Sequence, residues 1–220
     1  MSEVSEMTAS IRNLVDDLAT SKFIPREDLG KQINGTNKIF FLEKRNIVAS
    51  STNVISDGVT LTETTNYTVN VAKGMITIAP ATSAPSASLT VDYYWQRFSD
   101  AVLLDFINAG LRFIGYGTDA TATENDLLGT PESLKEAVEH YALHHVYNAL
   151  ATITADLYKA GAGKKNIDKD GIFKKYQQLA QDNKKGALEL RDNYYKRQGR
   201  REAPSFAQTH VKYPTYTPIR

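Results

Sequence analysis

The stretch VDYYWQRFSDAVLLDFINAGLRFIGYG, Val91 to Gly117, decides how this chain is read, because an extended segment rich in aromatics turns directly into a helix. Before it the residues follow the two-residue period of strands, and after it they follow the helical period. Ser99 is a natural N-cap, Asp100 suits the positive end of the helix dipole, and Phe98 before the cap can staple onto Leu103. Within the helix, Val102, Leu103, Leu104, Phe106, Ile107, Ala109, Gly110, Leu111, Phe113 and Ile114 spread over more than half the circumference. Asp105, Asn108 and Arg112 are left as a narrow polar face. A helix this apolar needs cover on several sides, from its own chain or from a neighbouring subunit.

Upstream, Ile11, Leu14, Val15 and Leu18 share one face of a short helix expected over residues 8–20, with Asp16 and Asp17 outside. Pro25 ends it, and the residues to Gly35 read as a polar connector. From Lys38 to Trp95 β-branched and aromatic residues alternate. Strands are expected at Ile39–Leu42, at Asn53–Ser56 and Val59–Leu61 across an Asp57-Gly58 turn, at Tyr67–Val71 and Met75–Ile78 across Lys73-Gly74, and at Leu89–Tyr94. APATSAPSAS, Ala79 to Ser88, holds two prolines and reads as a loop.

Downstream, Thr130-Pro131 gives an N-cap followed by proline at the first helical position. In the long helix that follows, Leu134, Val138, Tyr141, Ala142, His145, Ala149 and Ile153 share one face, while Leu143, Tyr147 and Leu150 form a second apolar patch. Two-sided burial is expected, and with it a subunit interface at Leu104, Leu111, Leu143, Tyr147 and Leu150. AGAGKK, Ala160 to Lys165, breaks the helix. Phe173, Tyr176, Ala180, Asn183, Ala187, Leu190 and Tyr194 then recur at heptad-like spacing along a basic helix of about 30 residues. Its thin stripe, which includes Asn183 and Gly186, suits packing on one partner helix. The last segment, GRREAPSFAQTHVKYPTYTPIR, has three prolines and no periodicity, so an extended tail with docking anchors at Phe206, Tyr213, Tyr216 and Ile219 is expected.

The fold class is therefore α+β: a bundle of about four helices, with a small antiparallel β module inserted after the first helix and an extended C-terminal tail. The divisions are 1–35 for the N-terminal helix and connector, 36–97 for a sandwich or barrel-like module, 98–198 for the bundle and 199–220 for the tail.

At 220 residues and 41% hydrophobic content the chain can bury a sizeable core. With no cysteine it has no disulfide framework, thiolate metal site or cysteine nucleophile. The acidic N-terminus lacks a signal-peptide pattern, and no stretch reaches the ~20 apolar residues of a membrane span. The net charge of +1 conceals a strong polarity. Residues 1–158 carry 11 Lys+Arg against 19 Asp+Glu, net −8, while residues 159–220 carry 15 against 6, net +9. Such asymmetry fits a nucleic-acid face, attachment to oppositely charged partners, or solvated lysines on exposed helices.

Chemistry is sparsely represented. Glu136, His140 and His144 lie four apart on one helix flank with His145 adjacent, a spacing at which imidazoles can share a metal. The segment EHYALHH nevertheless lacks the HExxH order that pairs a zinc water with a general base, and His145 points to the core face. No glycine-rich loop follows a strand and no nucleophile elbow occurs. Asp16, Asp17 and Arg26-Glu27-Asp28 read as solvated surface. No enzyme, catalytic residue, metal or cofactor is expected. The basic segment Lys159 to Arg201 has no recognised nucleic-acid motif, so any DNA contact would be electrostatic.

The order of parts, a short helix, then NGTNKIFFLE, a D-G turn, NYTVNVAKGMITIAP and SLTVDYYW running into SDAVLLDFINAGLRFIG, resembles the head-to-tail adaptor (connector) proteins of tailed bacteriophages. Two longer helices and a basic C-terminus follow in the same way. The match in residues is confined to 34–116, and the YTVN to LTVDYY phrase also occurs in other phage virion modules. The resemblance implies a homo-oligomeric ring of about twelve copies beneath the portal protein, lining the channel through which genomic DNA passes without sequence preference. Tail or further neck proteins would attach below. It places the chain in the virion neck after synthesis in the host bacterial cytoplasm, with no membrane association. It also implies that the bundle forms the ring wall and that Tyr194, Tyr195, Arg197, Arg200, Arg201, Phe206, Tyr213 and Tyr216 reach the portal.

Two other classes fit the residues. A tail or baseplate β domain binding host surface glycans would show clustered exposed aromatics. A packaging protein binding DNA without sequence preference would act through the basic half.

Overall fold

The computed structural model describes residues 3–17, 22–116, 127–160 and 169–199. Among these, the elements in order are α1 (Glu3–Leu14), β1 (Phe23–Asp28), β2 (Ile39–Phe41), β3 (Asn53–Ser56), β4 (Val59–Thr60), β5 (Tyr67–Asn70), β6 (Met75–Ile78), β7 (Leu89–Tyr94), α2 (Asp100–Ile114), α3 (Glu132–Ala160) and α4 (Lys169–Arg197). The class is α+β, with the β strands following the first helix. The chain divides into two compact units, Met1–Ile11 with Asp100–Arg220, and Arg12–Ser99. The expected C-terminal tail lies outside the described residues.

The β unit is a sandwich of two antiparallel sheets, ordered β1-β7-β3-β4 and β2-β6-β5. Period-two alternation sends Leu89, Val91 and Tyr93 of β7 and Val54 of β3 inward from one sheet, and Phe40, Tyr67, Ile76 and Ile78 inward from the other. Leu29, Leu42 and Ile47 complete this core. The Asp57-Gly58 turn forms as its sequence demands, with φ of 50° and 81° at its two central residues. Asp57 also accepts hydrogen bonds from the backbone N–H groups of Ser86 (2.9 Å), Ala87 (2.8 Å) and Ser88 (2.7 Å). Those bonds hold its carboxyl well below the usual carboxylate range and tie the 79–88 loop to the hairpin.

Three expectations are corrected here. The polar connector contains a strand, β1, which pairs with β7 and is bulged between Ile24 and Glu27. Pro25 and the bulge at Arg26 (φ 46°) belong to an edge strand with little alternation, which hides it from a pattern search. The β unit accordingly begins at Arg12, not at residue 36. The first helix ends at Leu14, short of residue 20, in a Schellman turn: Asp16 adopts φ 51°, Asp17 N–H bonds the Arg12 carbonyl at 2.8 Å and Asp16 N–H that of Asn13 at 3.3 Å.

That turn also explains why Asp17 is not solvated. Its side chain is fully buried and accepts from Arg12 Nη1 (2.9 Å), Arg97 N–H (2.6 Å) and Phe98 N–H (3.1 Å), while Arg12 Nη2 donates to the Phe98 carbonyl at 3.0 Å. This ionic knot joins the start of the β unit to its end. Glu27 is likewise engaged, accepting from the Tyr93 hydroxyl and from Glu43 N–H (2.7 Å). Burial, with Glu27 alongside, pushes the Tyr93 phenol up.

In the helical unit, α2 and α3 run antiparallel, with Phe106 against His145 at one end and Phe113 stacked on Tyr141 at 4.2 Å toward the other. The backbones come close at Gly110, where an added Cβ would stand 2.7 Å from the Val138 carbonyl oxygen and 2.9 Å from its Cγ1. A mid-helix glycine costs helix stability, so the close approach is what the residue supplies. Gly110→Ala should therefore destabilise the protein by about 1–3 kcal/mol despite its better helix propensity. Chemical denaturation checks this, and a rise in stability would show that the helices can separate freely at this point.

Candidate functional site

The helix faces expected to await neighbours are the first candidate. α3 meets α2 on one side through Val138, Tyr141 and His145, and α4 on the other through His140, His144 and Tyr147. Leu143 and Leu150, within a helical turn of Tyr147 on the α4 side, are each only 5% exposed. Leu111 is fully buried, whereas Leu104 and Tyr147 are half-buried, with Tyr147 stacked on Tyr176 of α4. The expectation that this apolar surface exceeds what one copy can hide is corrected. α4 folds back along α3 and covers the second face itself.

The polar residues in the α4 stripe acquire partners on α3. His140 Nδ1 donates to Asn183 Oδ1 at 2.9 Å, and an added Cβ on Gly186 would stand 3.5 Å from the same imidazole. His144 Nδ1 donates to the Ala180 carbonyl at 2.8 Å, and its Nε2 lies 3.2 Å from Asn148 Nδ2. His145 is buried and stacked at 5.7 Å on Phe106. Burial, helped by His144, Lys184 and Arg112, pushes it down to about 3, and burial also lowers His144. His144 and His145 are therefore neutral at neutral pH, and Glu136 is exposed. Among the described residues no cluster of three or more His, Asp or Glu could hold a metal.

At the far end of the bundle the expected portal-facing residues part company. Tyr195 is buried, and its hydroxyl donates to the Ile114 carbonyl at 2.7 Å, so it pins α4 to α2 and is not offered to a partner. Its ring is edge-on to half-buried Tyr194, 5.3 Å away. Arg191 caps the Phe113–Tyr141 stack with its guanidinium 4.4 Å from the Phe113 ring, a three-helix contact that no spacing rule signals. Lys196 and Arg197 are exposed. Arg200, Arg201, Phe206, Tyr213 and Tyr216 lie outside the described residues.

The exposed face of α4 carries Lys174, Lys175, Lys184 and Lys185, but Asp182 and Glu189 interrupt it, with Lys185 3.8 Å from Glu189. Among the described residues this face of α4 thus carries both signs of charge. At the opposite extreme of charge, α1 lies beside the first turns of α3: Lys135 Nζ is 2.9 Å from Glu3 and 3.0 Å from Glu132, and Ser10 Oγ donates to Glu139.

On the β unit, Phe40, Tyr67, Tyr93 and Phe98 are core residues, leaving Phe23, tilted on Tyr94 at 4.8 Å, and Phe41 as exposed aromatics. Among the described residues no helix is long and apolar enough to cross a membrane. No family model, curated protein or solved structure matches this chain.

Proposed function

We propose that this chain is a non-enzymatic structural subunit of a phage neck. It assembles as a ring of about twelve copies beneath the portal, lines the DNA channel and presents its lower face to tail or neck proteins. The observation that carries the reading is the order of parts: a short helix, a small sandwich whose last strand β7 runs at once into α2, then two 29-residue helices and a basic C-terminus. That is the order for which residues 34–116 resemble the connector proteins.

The opposite charge of the two parts of the chain, −8 and +9, supports attachment between copies or to neighbouring rings, chiefly through encounter rate and orientation. Such attachment weakens with salt. Surplus apolar surface on α3 no longer supports it, since α2 and α4 cover both faces. Exposed Lys196 and Arg197 lead into Arg200, Arg201 and the aromatic anchors, and these form the portal-binding segment.

The test is electron-microscopy class averaging of particles that carry the chain. A ring at the head-tail junction is expected, lost from that position when residues 199–220 are deleted while the truncated chain stays helical. Attachment of the truncated chain with unchanged affinity removes the tail from the mechanism. Finding the chain elsewhere in the particle, or in no particle, overturns the reading.

A further inference from the structure

β2 is an edge strand, and an edge strand ordinarily presents a row of unpaired N–H and C=O groups to any extended chain nearby. Here Phe40 pairs inward with Ile76 of β6, so the backbone groups of Ile39 and Phe41 point to the free edge. Both are occupied by side-chain amides. Gln32 Nε2 donates to the Phe41 carbonyl at 2.7 Å while Phe41 N–H donates to Gln32 Oε1 at 2.9 Å. Asn37 Nδ2 donates to the Ile39 carbonyl at 2.7 Å while Ile39 N–H donates to Asn37 Oδ1 at 3.1 Å. Asn37 also reaches the Gln32 carbonyl at 3.2 Å, and Asn34 Oδ1 accepts from the N–H groups of Thr36 (3.0 Å) and Asn37 (2.6 Å), so the loop bearing the two amides is itself braced.

Each amide offers one donor and one acceptor in the same arrangement as a residue of an incoming strand. The side chains of the strand they cover are unusually apolar for an edge, with Ile39 45% and Phe41 49% exposed. Two other edges of the sandwich are blunted differently: β1 by Pro25 and its bulge, and β4 by having two residues.

We infer that Gln32 and Asn37 form a self-cap that holds the β2 edge closed, and that the bared edge takes the β2 edge of a second copy of this chain in an antiparallel, two-fold pairing. The observations select this occupant because the pairing is self-complementary: opposed copies of a three-residue strand exchange Ile39 and Phe41 backbone bonds, and their apolar side chains meet across the join. In the exchange the Ile39 and Phe41 backbone groups keep a partner throughout, and the released Gln32 and Asn37 amides turn to solvent. The inference stands independently of the neck reading.

The test is the full-length chain carrying both Gln32→Ala and Asn37→Ala, compared with the wild type at equal concentration. Analytical ultracentrifugation should show association rising toward about double the wild-type mass, and adding Phe41→Lys should return it to the wild-type value. In the wild type, hydrogen exchange should find the Phe41 and Ile39 amides protected. A folded double variant with unchanged mass overturns the inference, as does association that Phe41→Lys leaves intact. If the double variant does not fold, Gln32→Ala alone is read in the same way. Unfolding of that variant too would make the amides mere supports of their loop and overturn the inference.

Discussion

Leu143→Asp should unfold the helical unit, not merely keep it from assembling. Leu143 is 5% exposed on the side of α3 where His140, His144 and Tyr147 meet α4, so the substitution removes a packed side chain and places a carboxylate where water is excluded. The lost packing alone costs about 2–5 kcal/mol. Burial of the carboxylate adds to it, because the group must either remain charged without a partner or take up a proton. Set against typical domain stabilities of roughly 5–15 kcal/mol, the sum is enough to melt the α3–α4 seam. Far-UV circular dichroism through a thermal ramp checks this, with Leu150→Asp expected to behave alike and Leu128→Asp, at a site 58% exposed, expected to be tolerated. A Leu143→Asp chain with wild-type helicity and midpoint would mean that α4 leaves this face bare in solution, which would restore the case for a neighbour there.

The second large effect is expected from Asp17→Ala. The carboxylate is fully buried and answers the Arg12 guanidinium and the N–H groups of Arg97 and Phe98 together. Removing it takes the carboxylate away from a buried guanidinium and two backbone donors. A broken buried pair costs about 3–5 kcal/mol, most of it from the partner left behind. Asp16→Asn is the matched control: Asp16 is exposed, and asparagine tolerates its left-handed conformation. Urea denaturation should show a large fall in midpoint for Asp17→Ala and little change for Asp16→Asn. A loss for Asp17→Ala of under about 1 kcal/mol, the size of one ordinary hydrogen bond, would show that water reaches the knot.

These two sites mark where the sequence stops being legible. Asp16 and Asp17 are adjacent acids after an amphipathic helix, and no local pattern separates the one that caps the helix in solvent from the one that is buried. The difference arises because a Schellman turn reverses the chain between them and residues 97 and 98 arrive from far along the sequence. Strand β1 was hidden for a related reason: an edge strand with a proline and a bulge buries too little to alternate, and only β7 defines it. Asn183 and Gly186 looked like flaws in an apolar stripe until His140 of α3 supplied a hydrogen-bond partner for one and packed beside the other. Gln32 and Asn37 carried no signal at all, since an amide that imitates a strand is recognisable only once the edge it covers exists.

What the sequence determined by itself is whatever depends on neighbours along the chain. Period-two alternation placed six of the seven strands, all those between 39 and 94, within a residue of their observed limits, with the Asp57-Gly58 turn between two of them, and period 3.6 placed α2, α3 and α4. It also found that α3 has two apolar sides, because side-chain direction around a helix is a matter of local geometry. Which bodies cover those sides is a question of contacts between residues about 40 apart, His140 with Asn183 among them, and only the tertiary structure decided that α4 of the same chain takes the place a neighbouring subunit could have filled. Burial is non-directional, so an apolar stripe states that it must be hidden and not by what.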